Sequence, residues 1–324
     1  MAPFSRFLPS PRVRTWIIRF FTAAVLVVFA LQFGSVVRDI DWPYFWQSLG
    51  RPGNWRYLAA AVVLMPVNWL LEARKWQLLL GAFLDWSFLR TLRATLAGVS
   101  VSAATPNRIG EIGGRMLVAR REEWPGVIAS SLLGSLCQWV AFLLLAWPAL
   151  VVTVGRLPQL DIGIPYLWLL PVGPLVLILA AAGGKPLLLR VVNWCEGRLV
   201  GDATTLRESL AKVKLSLMFR ASAYASLRFL VYSGQLYLLL HFFGLPLPFL
   251  SGLAGIMAIY LVQAGIPLPP GVNLVTRTEL GLLLWSAGPE GAVAVLAAYT
   301  ALFVVNVLVP ALPGYGLIVR KRYV

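Results

Sequence analysis

The sequence predicts an all-α polytopic membrane protein, built as one membrane domain over residues 1–324. Hydrophobic residues make up 59% of the chain and charged residues only 13%, a composition typical of bilayer-embedded proteins. Apolar runs of the roughly 20 residues needed to cross a bilayer recur along the chain. Two further apolar regions are broken by Pro and Gly beside charged residues. We therefore expect about six full transmembrane helices and two re-entrant helical hairpins.

The strong positive charge indicates membrane lipids as partners rather than nucleic acid. The net charge is +15, and in membrane proteins Lys and Arg collect on the cytoplasmic side, where they meet anionic headgroups. Arg residues precede the first apolar run, and Arg320 to Arg322 follow the last one. Both termini are therefore predicted to be cytoplasmic, in a prokaryotic-type cell (inner) membrane. Trp-rich faces suit lipid contact and a homo-oligomer interface equally well, so the oligomeric state stays open.

The order of elements follows from the apolar runs and the charges between them. The first run, Trp16 to Val37, is interpreted as an uncleaved helix rather than a cleavable signal peptide, because it is long enough to span. A basic segment at 185–215 has leucines at helical spacing, which predicts a cytoplasmic amphipathic helix on the headgroups. The other predicted elements are spans at 57–80, 127–154, 164–182, 216–243 and 291–310, and hairpins at 88–121 and 249–287.

The first predicted hairpin turns at Thr105-Pro-Asn-Arg-Ile-Gly-Glu-Ile-Gly-Gly-Arg115. Arg90 and Arg93 before this break, and Arg115, Arg120 and Arg121 after it, all belong on the cytoplasmic side by the positive-inside rule. A segment that crossed the membrane once would violate this rule, whereas a re-entrant hairpin satisfies both ends. The tip would then lie within the membrane, where ionisable residues are costly and usually functional. The alternative is an ordinary cytoplasmic turn with solvated charges.

A second break, from Gln263 to Asn273, resembles the first. Leu96-Ala-Gly-Val99 precedes one break, Leu253-Ala-Gly-Ile256 precedes the other, and an Arg/Glu pair follows each. The charges place the mouth of the first hairpin inside and that of the second outside. This predicts an inverted-topology repeat, with repeat A at 57–154 and repeat B at 217–310, and in transporters such repeats enclose a midplane binding site. The alternative is a chance likeness between two Pro/Gly breaks.

Polar side chains share one face of a span in each predicted repeat. Asn68, Glu72 and Lys75 do so on the second span, and Arg228, Tyr232 and Gln235 follow i, i+4, i+7 on the fifth. Together with the two breaks, these faces define a candidate headgroup site inside the membrane. Its predicted residues are Glu72, Arg74, Lys75, Asn107, Arg108, Gly110, Glu111, Arg115, Arg228, Tyr232, Gln235, Asn273, Arg277 and Glu279.

Three motifs carry a family resemblance: Leu71-Glu-Ala-Arg-Lys-Trp76, Thr105-Pro-Asn-Arg-Ile-Gly-Glu111, and Pro267-Leu-Pro-Pro-Gly271 followed by Arg277 and Glu279. At these residues the chain resembles the transmembrane flippase-like family named for lysylphosphatidylglycerol synthetases. The third motif lacks the family's further glycines, and Thr278 separates its Arg/Glu pair. The resemblance implies movement of a lipid between leaflets, often one with an aminoacyl or glycosyl headgroup. We expect a stand-alone member without the soluble aminoacyl-tRNA-dependent transferase domain of bifunctional members.

These features favour a flippase-like transporter of an anionic or headgroup-modified phospholipid, or of a polyprenyl-phosphate lipid. Arginines hold phosphate by charge-assisted hydrogen bonds, while Glu111 and Glu279 neutralise excess charge or meet a cationic headgroup. One alternative is a membrane-embedded lipid-modifying transferase, which would need a base or nucleophile and normally a metal. Another is a non-transporting scaffold or accessory subunit in which the Arg/Glu pairs are structural salt bridges.

No enzyme activity, cofactor or metal site is predicted. The cysteines, Cys137 and Cys195, lie in or beside apolar segments, and His241 is the single histidine, so neither a disulfide framework nor a multi-histidine metal site is indicated. The sequence also has no P-loop motif. Translocation would therefore be passive, ion-coupled or driven by a partner.

Overall fold

The computed structural model describes residues 43, 46–47, 54–103, 109–155, 165–178, 210, 213–264, 270–285 and 289–320. This part of the chain is helical and contains no strand, as predicted. The apolar run at 16–37 and most of the amphipathic helix expected at 185–215 lie outside the described residues. The helices discussed below are α1 (Trp55–Leu80), α2 (Phe88–Ser102), α3 (Ile109–Val118), α4 (Trp124–Ala141), α5 (Trp147–Val154), α6 (Leu215–Phe242), α7 (Phe249–Ala264), α8 (Pro270–Trp285), α9 (Pro289–Phe303) and α10 (Val309–Arg320).

Several helices fit a membrane protein by length and composition. Among the described residues, Trp55–Leu80, Arg121–Val154 and Val293–Leu317 are long and apolar enough to cross a bilayer. α6 has the length, at 28 residues, but its polar residues lower its hydropathy. α2 and α3 hold 15 and 10 residues, so at about 1.5 Å per residue each is shorter than the roughly 30 Å hydrocarbon core. The number of complete crossings stays a prediction.

The two halves of the chain repeat one order of elements. In the first half, α1 precedes the α2/α3 hairpin and then the long helix α4–α5; in the second half, α6 precedes the α7/α8 hairpin and then α9–α10. The packing is reciprocal, because α5 packs on α7 while α10 packs on α2. α1 and α6 pack along each other between the halves. Each half thus completes the surroundings of the other half's hairpin.

A π-helical segment interrupts the last long helix of each half. The segments are Phe142–Ala146, between α4 and α5, and Val304–Leu308, between α9 and α10. The second residue after each segment is a proline, Pro148 or Pro310. A proline ring clashes with the carbonyl four residues earlier, which here lies within the wider π turn, so the helix continues. The last helix therefore extends to Arg320, beyond the predicted end of the span at 310.

Glycine allows the two helices of the first hairpin to pack closely. A Cβ atom on Gly114 would lie 2.6 Å from the Cα of Gly98 and would also collide with the carbonyl oxygen of Ala97. These are backbone atoms that cannot move aside. The close approach brings α3 against α2 and fixes the direction in which the α3 side chains point.

The two ends of the first hairpin are tied together by Glu123. Its carboxylate accepts hydrogen bonds from Trp86 Nε1 at 3.0 Å, Arg90 Nη2 at 2.7 Å and the backbone N–H of Arg120 at 2.8 Å. Trp86 and Arg90 lie at the start of α2, and Arg120 follows α3. The chain therefore enters and leaves the hairpin at the same level.

The interior and the exterior of the described part are both largely apolar. A buried cluster between α6, α7 and α9 includes Leu236, Ile256 and Tyr299, each no more than 1% exposed. Large apolar side chains also cover the outer surface, as expected for a surface that contacts lipid chains. Examples are Trp168, Phe219, Leu250 and Leu283, which are 77%, 76%, 80% and 68% exposed.

Candidate functional site

Glu72 is the centre of a buried charged group of residues that we call the Glu72 cluster. Its carboxylate contacts Lys75 Nζ at 2.6 Å, Arg228 Nη1 at 3.1 Å and Arg115 Nη2 at 3.1 Å. Lys75 lies one turn further along α1, Arg115 comes from α3 and Arg228 from α6. The side chains of Glu72 and Lys75 are only 4% and 2% exposed. One carboxylate therefore connects α1, the first hairpin and α6.

Arg115 links this carboxylate to its own hairpin and to α4. Its Nη2 also contacts Oε1 of Glu111, one turn earlier on α3, and its Nη1 donates to Ser131 Oγ on α4 at 3.0 Å. The guanidinium lies 4.2 Å from the centroid of the Trp76 ring, an arrangement that favours the cation. The remaining donor, Nε, is buried without a partner among the described residues.

The Glu72 cluster reaches accessible surface through one cation and one anion. Arg228 is 20% exposed and Glu111 is 21% exposed, whereas Arg115 is 3% exposed. The guanidinium of Arg228 lies 5.3 Å from the centroid of the Trp69 ring. Its Nε, like that of Arg115, is buried and finds no partner in the described part of the chain.

A polar cavity lies against the cluster, between the first hairpin and α4. It is a narrow cleft with about 10 Å³ of free space, room for about one water molecule. Charged side chains form one wall, and small or hydroxylated residues of α4 form the other. The lining residues are Glu72, Lys75, Glu111, Ile112, Arg115, Ser131, Gly134 and Ser135.

The formal charge of the Glu72 cluster is positive. Three cations (Lys75, Arg115 and Arg228) face two carboxylates (Glu72 and Glu111), which leaves one positive charge in excess. Charges within a membrane protein are costly unless they are paired. The excess charge and the two unpartnered guanidinium N–H donors together suit one additional monoanion.

Arg277 on α8 is the centre of a second group, which we call the Arg277 cluster. Its Nε donates to Oε1 of Gln263 on α7, the other helix of the second hairpin. Its Nη1 lies 3.5 Å from the hydroxyl of Tyr232 on α6, and its guanidinium carbon is 5.1 Å from the centroid of the Tyr260 ring. Tyr232 follows Arg228 by one turn of α6, so the two clusters are neighbours along that helix.

Several residues predicted for the site lie outside both clusters. Gln235 donates through Nε2 to the carbonyl of Ala61 at 2.8 Å, which joins α6 to α1. Arg74 is exposed and contacts Gln77 and the ring of Phe88. Among the remaining predicted residues, Glu279 is exposed and Gly110 is buried, while Asn107, Arg108 and the side chain of Asn273 are not in the described part.

The sequence-based prediction missed several residues of the clusters. Ser131 and Tyr260 carried no signal, because a lone serine or tyrosine in an apolar helix is common. Gln263 stands at the edge of the second break, and its amide within an apolar run was the available clue. Asn68, one turn before Glu72 on α1, donates to Asn306 Oδ1 at 2.9 Å. No group of three or more His, Cys, Asp or Glu that could hold a metal ion occurs among the described residues.

A comparison with known families identifies the family of this chain. A family model described as the lysylphosphatidylglycerol synthase TM region matches residues 16–314. The chain belongs to this family. The match includes α1 to α9 and both clusters, and it confirms the resemblance that the three motifs carried. No curated protein matches the chain.

Membership in the lysylphosphatidylglycerol synthase TM family makes this chain an integral membrane protein of a family concerned with lipid modification or flipping. The Glu72 cluster is part of the matched region, and its acid Glu72 belongs to the first of the three motifs. The charged interior is therefore part of the region on which membership rests.

Proposed function

We propose that this protein moves a lipid with a phosphate-bearing headgroup between the leaflets of a membrane, and that the Glu72 cluster contacts that headgroup. The substrate classes are an anionic or aminoacyl- or glycosyl-modified phospholipid and a polyprenyl-phosphate lipid. The observation that carries the proposal is a charged cluster with one excess positive charge beside a polar cavity. Ionisable residues at such positions mark substrate pathways more often than structural pairs.

The accessible ends of the cluster match the two kinds of charge on such a headgroup. Arg228 is the accessible donor for a phosphodiester oxygen, and arginine holds phosphate by charge-assisted hydrogen bonds. Glu111 is the accessible carboxylate and can meet the ammonium group of an aminoacyl lipid. Glu72 and Lys75 are too deeply buried for direct contact, so they hold the arginines in position.

The arrangement of the hairpins supports a path for the headgroup across the membrane. Each hairpin consists of helices too short to span, and the two halves pack reciprocally around the α1–α6 pair. In this proposal the hairpins are re-entrant and inverted relative to each other, so the clusters lie near the midplane. By its position in the sequence, three residues before Glu111, Arg108 is a further candidate for contact with the headgroup. The acyl chains stay in lipid while the headgroup passes the clusters.

The direct test is a flipping assay on the full chain reconstituted in liposomes. Fluorescently labelled phosphatidylglycerol is placed in both leaflets, and the fraction bleached by an external reductant is followed with and without a proton or sodium gradient. Arg228→Gln is expected to slow flipping by about tenfold or more, because one charge-assisted contact to phosphate is worth about 1.5–3 kcal/mol. Arg220→Gln is the matched control, since Arg220 lies on the same helix and is exposed.

The scaffold and transferase alternatives predict different outcomes. A wild-type protein that does not accelerate flipping under any gradient, and that co-purifies only with bulk lipid in native mass spectrometry, would support the scaffold. Chemical conversion of the lipid during the assay would support the transferase. Equal flipping by Arg228→Gln and Arg220→Gln would show that the Glu72 cluster is not the headgroup site.

A further inference from the structure

Arg277 has no carboxylate partner in the described part of the chain. Arg115 and Arg228 share Glu72, whereas Arg277 contacts the neutral amide of Gln263 and the neutral phenol of Tyr232. A guanidinium stays charged at any physiological pH. A charge in the interior of a membrane protein is costly unless an opposite charge compensates it. Among the described residues the charge of Arg277 is thus uncompensated, and an anionic ligand would compensate it.

The hydroxyls near Arg277 give a second, independent observation. Tyr260 is 5% exposed and Tyr299 is 1% exposed. Both hydroxyls are buried and have no hydrogen-bond partner among the residues that the structure describes. The guanidinium carbon of Arg277 is 5.1 Å from the centroid of the Tyr260 ring, and Tyr299 belongs to the same buried cluster as Tyr260, against which Tyr232 packs. Buried hydroxyls are normally hydrogen-bonded, so these two are donors available to a ligand.

The donor set identifies the chemical class of the ligand. Tyr232 accepts from Arg277, which leaves its own hydroxyl hydrogen free to donate. With Tyr260 and Tyr299, the site offers three O–H donors around one fixed positive charge. Gln263 accepts from Nε of Arg277 and Tyr232 accepts from Nη1, so among the described residues Nη2 remains for a ligand. Hydroxyl donors near a single positive charge match a tetrahedral oxyanion that carries one negative charge and several acceptor oxygens.

We propose that Arg277, Tyr232, Tyr260 and Tyr299 form a separate binding site for a phosphate-class oxyanion. The ligand is either the phosphodiester of a lipid or free inorganic phosphate, which share this chemistry. Because Tyr232 lies one turn after Arg228 on α6, the site is about 6 Å along the helix from the Glu72 cluster. That this site binds a headgroup phosphate during transport rests on the proposed function. That it binds an anion does not.

The test measures binding without transport. The full chain is titrated with phosphatidylglycerol, and in parallel with diacylglycerol of the same acyl chains, and bound lipids are counted by native mass spectrometry. Equilibrium dialysis with radiolabelled inorganic phosphate tests the free anion. The variants are Arg277→Gln and the double variant Tyr260→Phe/Tyr299→Phe, with Arg220→Gln as the control for loss of an exposed positive charge.

Arg277→Gln is expected to weaken phosphatidylglycerol binding by about tenfold or more, and the double variant by about threefold to tenfold, with diacylglycerol binding unchanged. If the natural ligand is free phosphate, the same losses appear in the dialysis experiment instead. Either result supports the site. If both variants bind both probes with the affinity of the wild type, the proposed site is wrong. Should Arg277→Gln fail to fold, the double variant decides, because it removes only two unpartnered oxygen atoms.

This outcome is separable from the flipping assay. In one outcome, flipping depends on Arg228 while the Arg277 and tyrosine variants bind both probes as the wild type does. That result would retain the proposed function and reject this site. Loss of phosphate or lipid binding in those variants, in a protein that does not flip lipids, would retain the site and reject the function.

Discussion

The first hairpin (α2/α3) and the second (α7/α8) each bring an arginine into the interior, but the charges around the two side chains differ. Arg115 lies between two carboxylates, Glu72 and Glu111. Arg277 has an amide and aromatic rings around it, with no carboxylate partner among the described residues. Most charges of the first cluster are paired within the protein, whereas in our proposal an anionic ligand supplies the compensating charge of the second.

The two hairpins also differ in how closely their helices pack. Gly114 sits directly against backbone atoms of α2, so the first hairpin is rigid where the charged cluster is attached. In the second hairpin, the closest neighbour of a Cβ on Gly255 would be Nε1 of Trp285, at 3.2 Å, and a side chain can shift. The helices of the first hairpin therefore approach each other more closely at Gly114 than those of the second do at Gly255.

Removing the carboxylate of Glu72 is expected to have the largest effect on stability. Glu72→Gln leaves three cations without their common partner, so the free energy of unfolding is expected to fall by about 3–5 kcal/mol. The measurement is unfolding in mixed detergent micelles followed by circular dichroism. Glu279→Gln is the control, because that side chain is exposed, and its effect should stay within about 0.5 kcal/mol. Equal stability of the two variants would show that the cluster does not hold the fold.

A methyl group on Gly114 tests whether the first hairpin is the more rigid one. Gly114→Ala is expected to lower the free energy of unfolding by about 1–3 kcal/mol, since the two helices must separate. At Gly113 a Cβ would meet nothing within 4 Å, so Gly113→Ala should be neutral or stabilising by up to about 1 kcal/mol. Gly255→Ala should cost less than Gly114→Ala. The reverse order would contradict the contrast in packing between the hairpins.

A substitution of Glu111 tests whether the Glu72 cluster binds a positively charged headgroup. Glu111→Gln is expected to reduce the preference for an aminoacyl phosphatidylglycerol over phosphatidylglycerol by about fivefold, or roughly 1 kcal/mol. Competition between the two lipids in native mass spectrometry gives the ratio. The double variant Tyr260→Phe/Tyr299→Phe should leave it unchanged, because those hydroxyls face the phosphate site. A preference unaffected by Glu111→Gln would assign that carboxylate only to its pairing with Arg115.

The smallest expected effect concerns the stability of the second cluster. Tyr260→Phe/Tyr299→Phe should change the free energy of unfolding by less than about 0.5 kcal/mol in lipid-free detergent, because no hydrogen bond within the described chain is lost. Added phosphatidylglycerol should stabilise the wild type more than the double variant. A loss above about 1.5 kcal/mol without lipid would mean that these hydroxyls hold the fold rather than a ligand.

Much of the helical organisation was predictable because it depends on local spacing. The spans at 57–80 and 216–243 and the hairpin at 249–287 agree with α1, α6 and α7/α8 within a few residues. The helical end at Arg320 was not anticipated, since Pro310 reads as a terminator unless a π segment precedes it. The matching Pro148 was the signal that would have revealed this, because a long helix continues through it in the first half.

The candidate site was predictable in its residue types but not in its grouping. The shared face of Arg228, Tyr232 and Gln235 was predicted from the helical period. In the structure Arg228 contacts Glu72, Tyr232 contacts Arg277, and Gln235 bonds to a backbone carbonyl of α1. A face of a helix is wide enough to meet several neighbours, and the period does not say which neighbour each side chain meets.

By itself, the sequence determined that this chain is a helical membrane protein with two Pro/Gly breaks and charges inside its apolar regions. Composition, run length and periodicity are properties of consecutive residues, so they need no knowledge of contacts. Only the tertiary structure decided that Arg115 and Arg228 share Glu72, and that Tyr232 and Tyr260 contact Arg277. These side chains come from helices far apart along the chain, and only the packing of both halves around α1 and α6 brings them together.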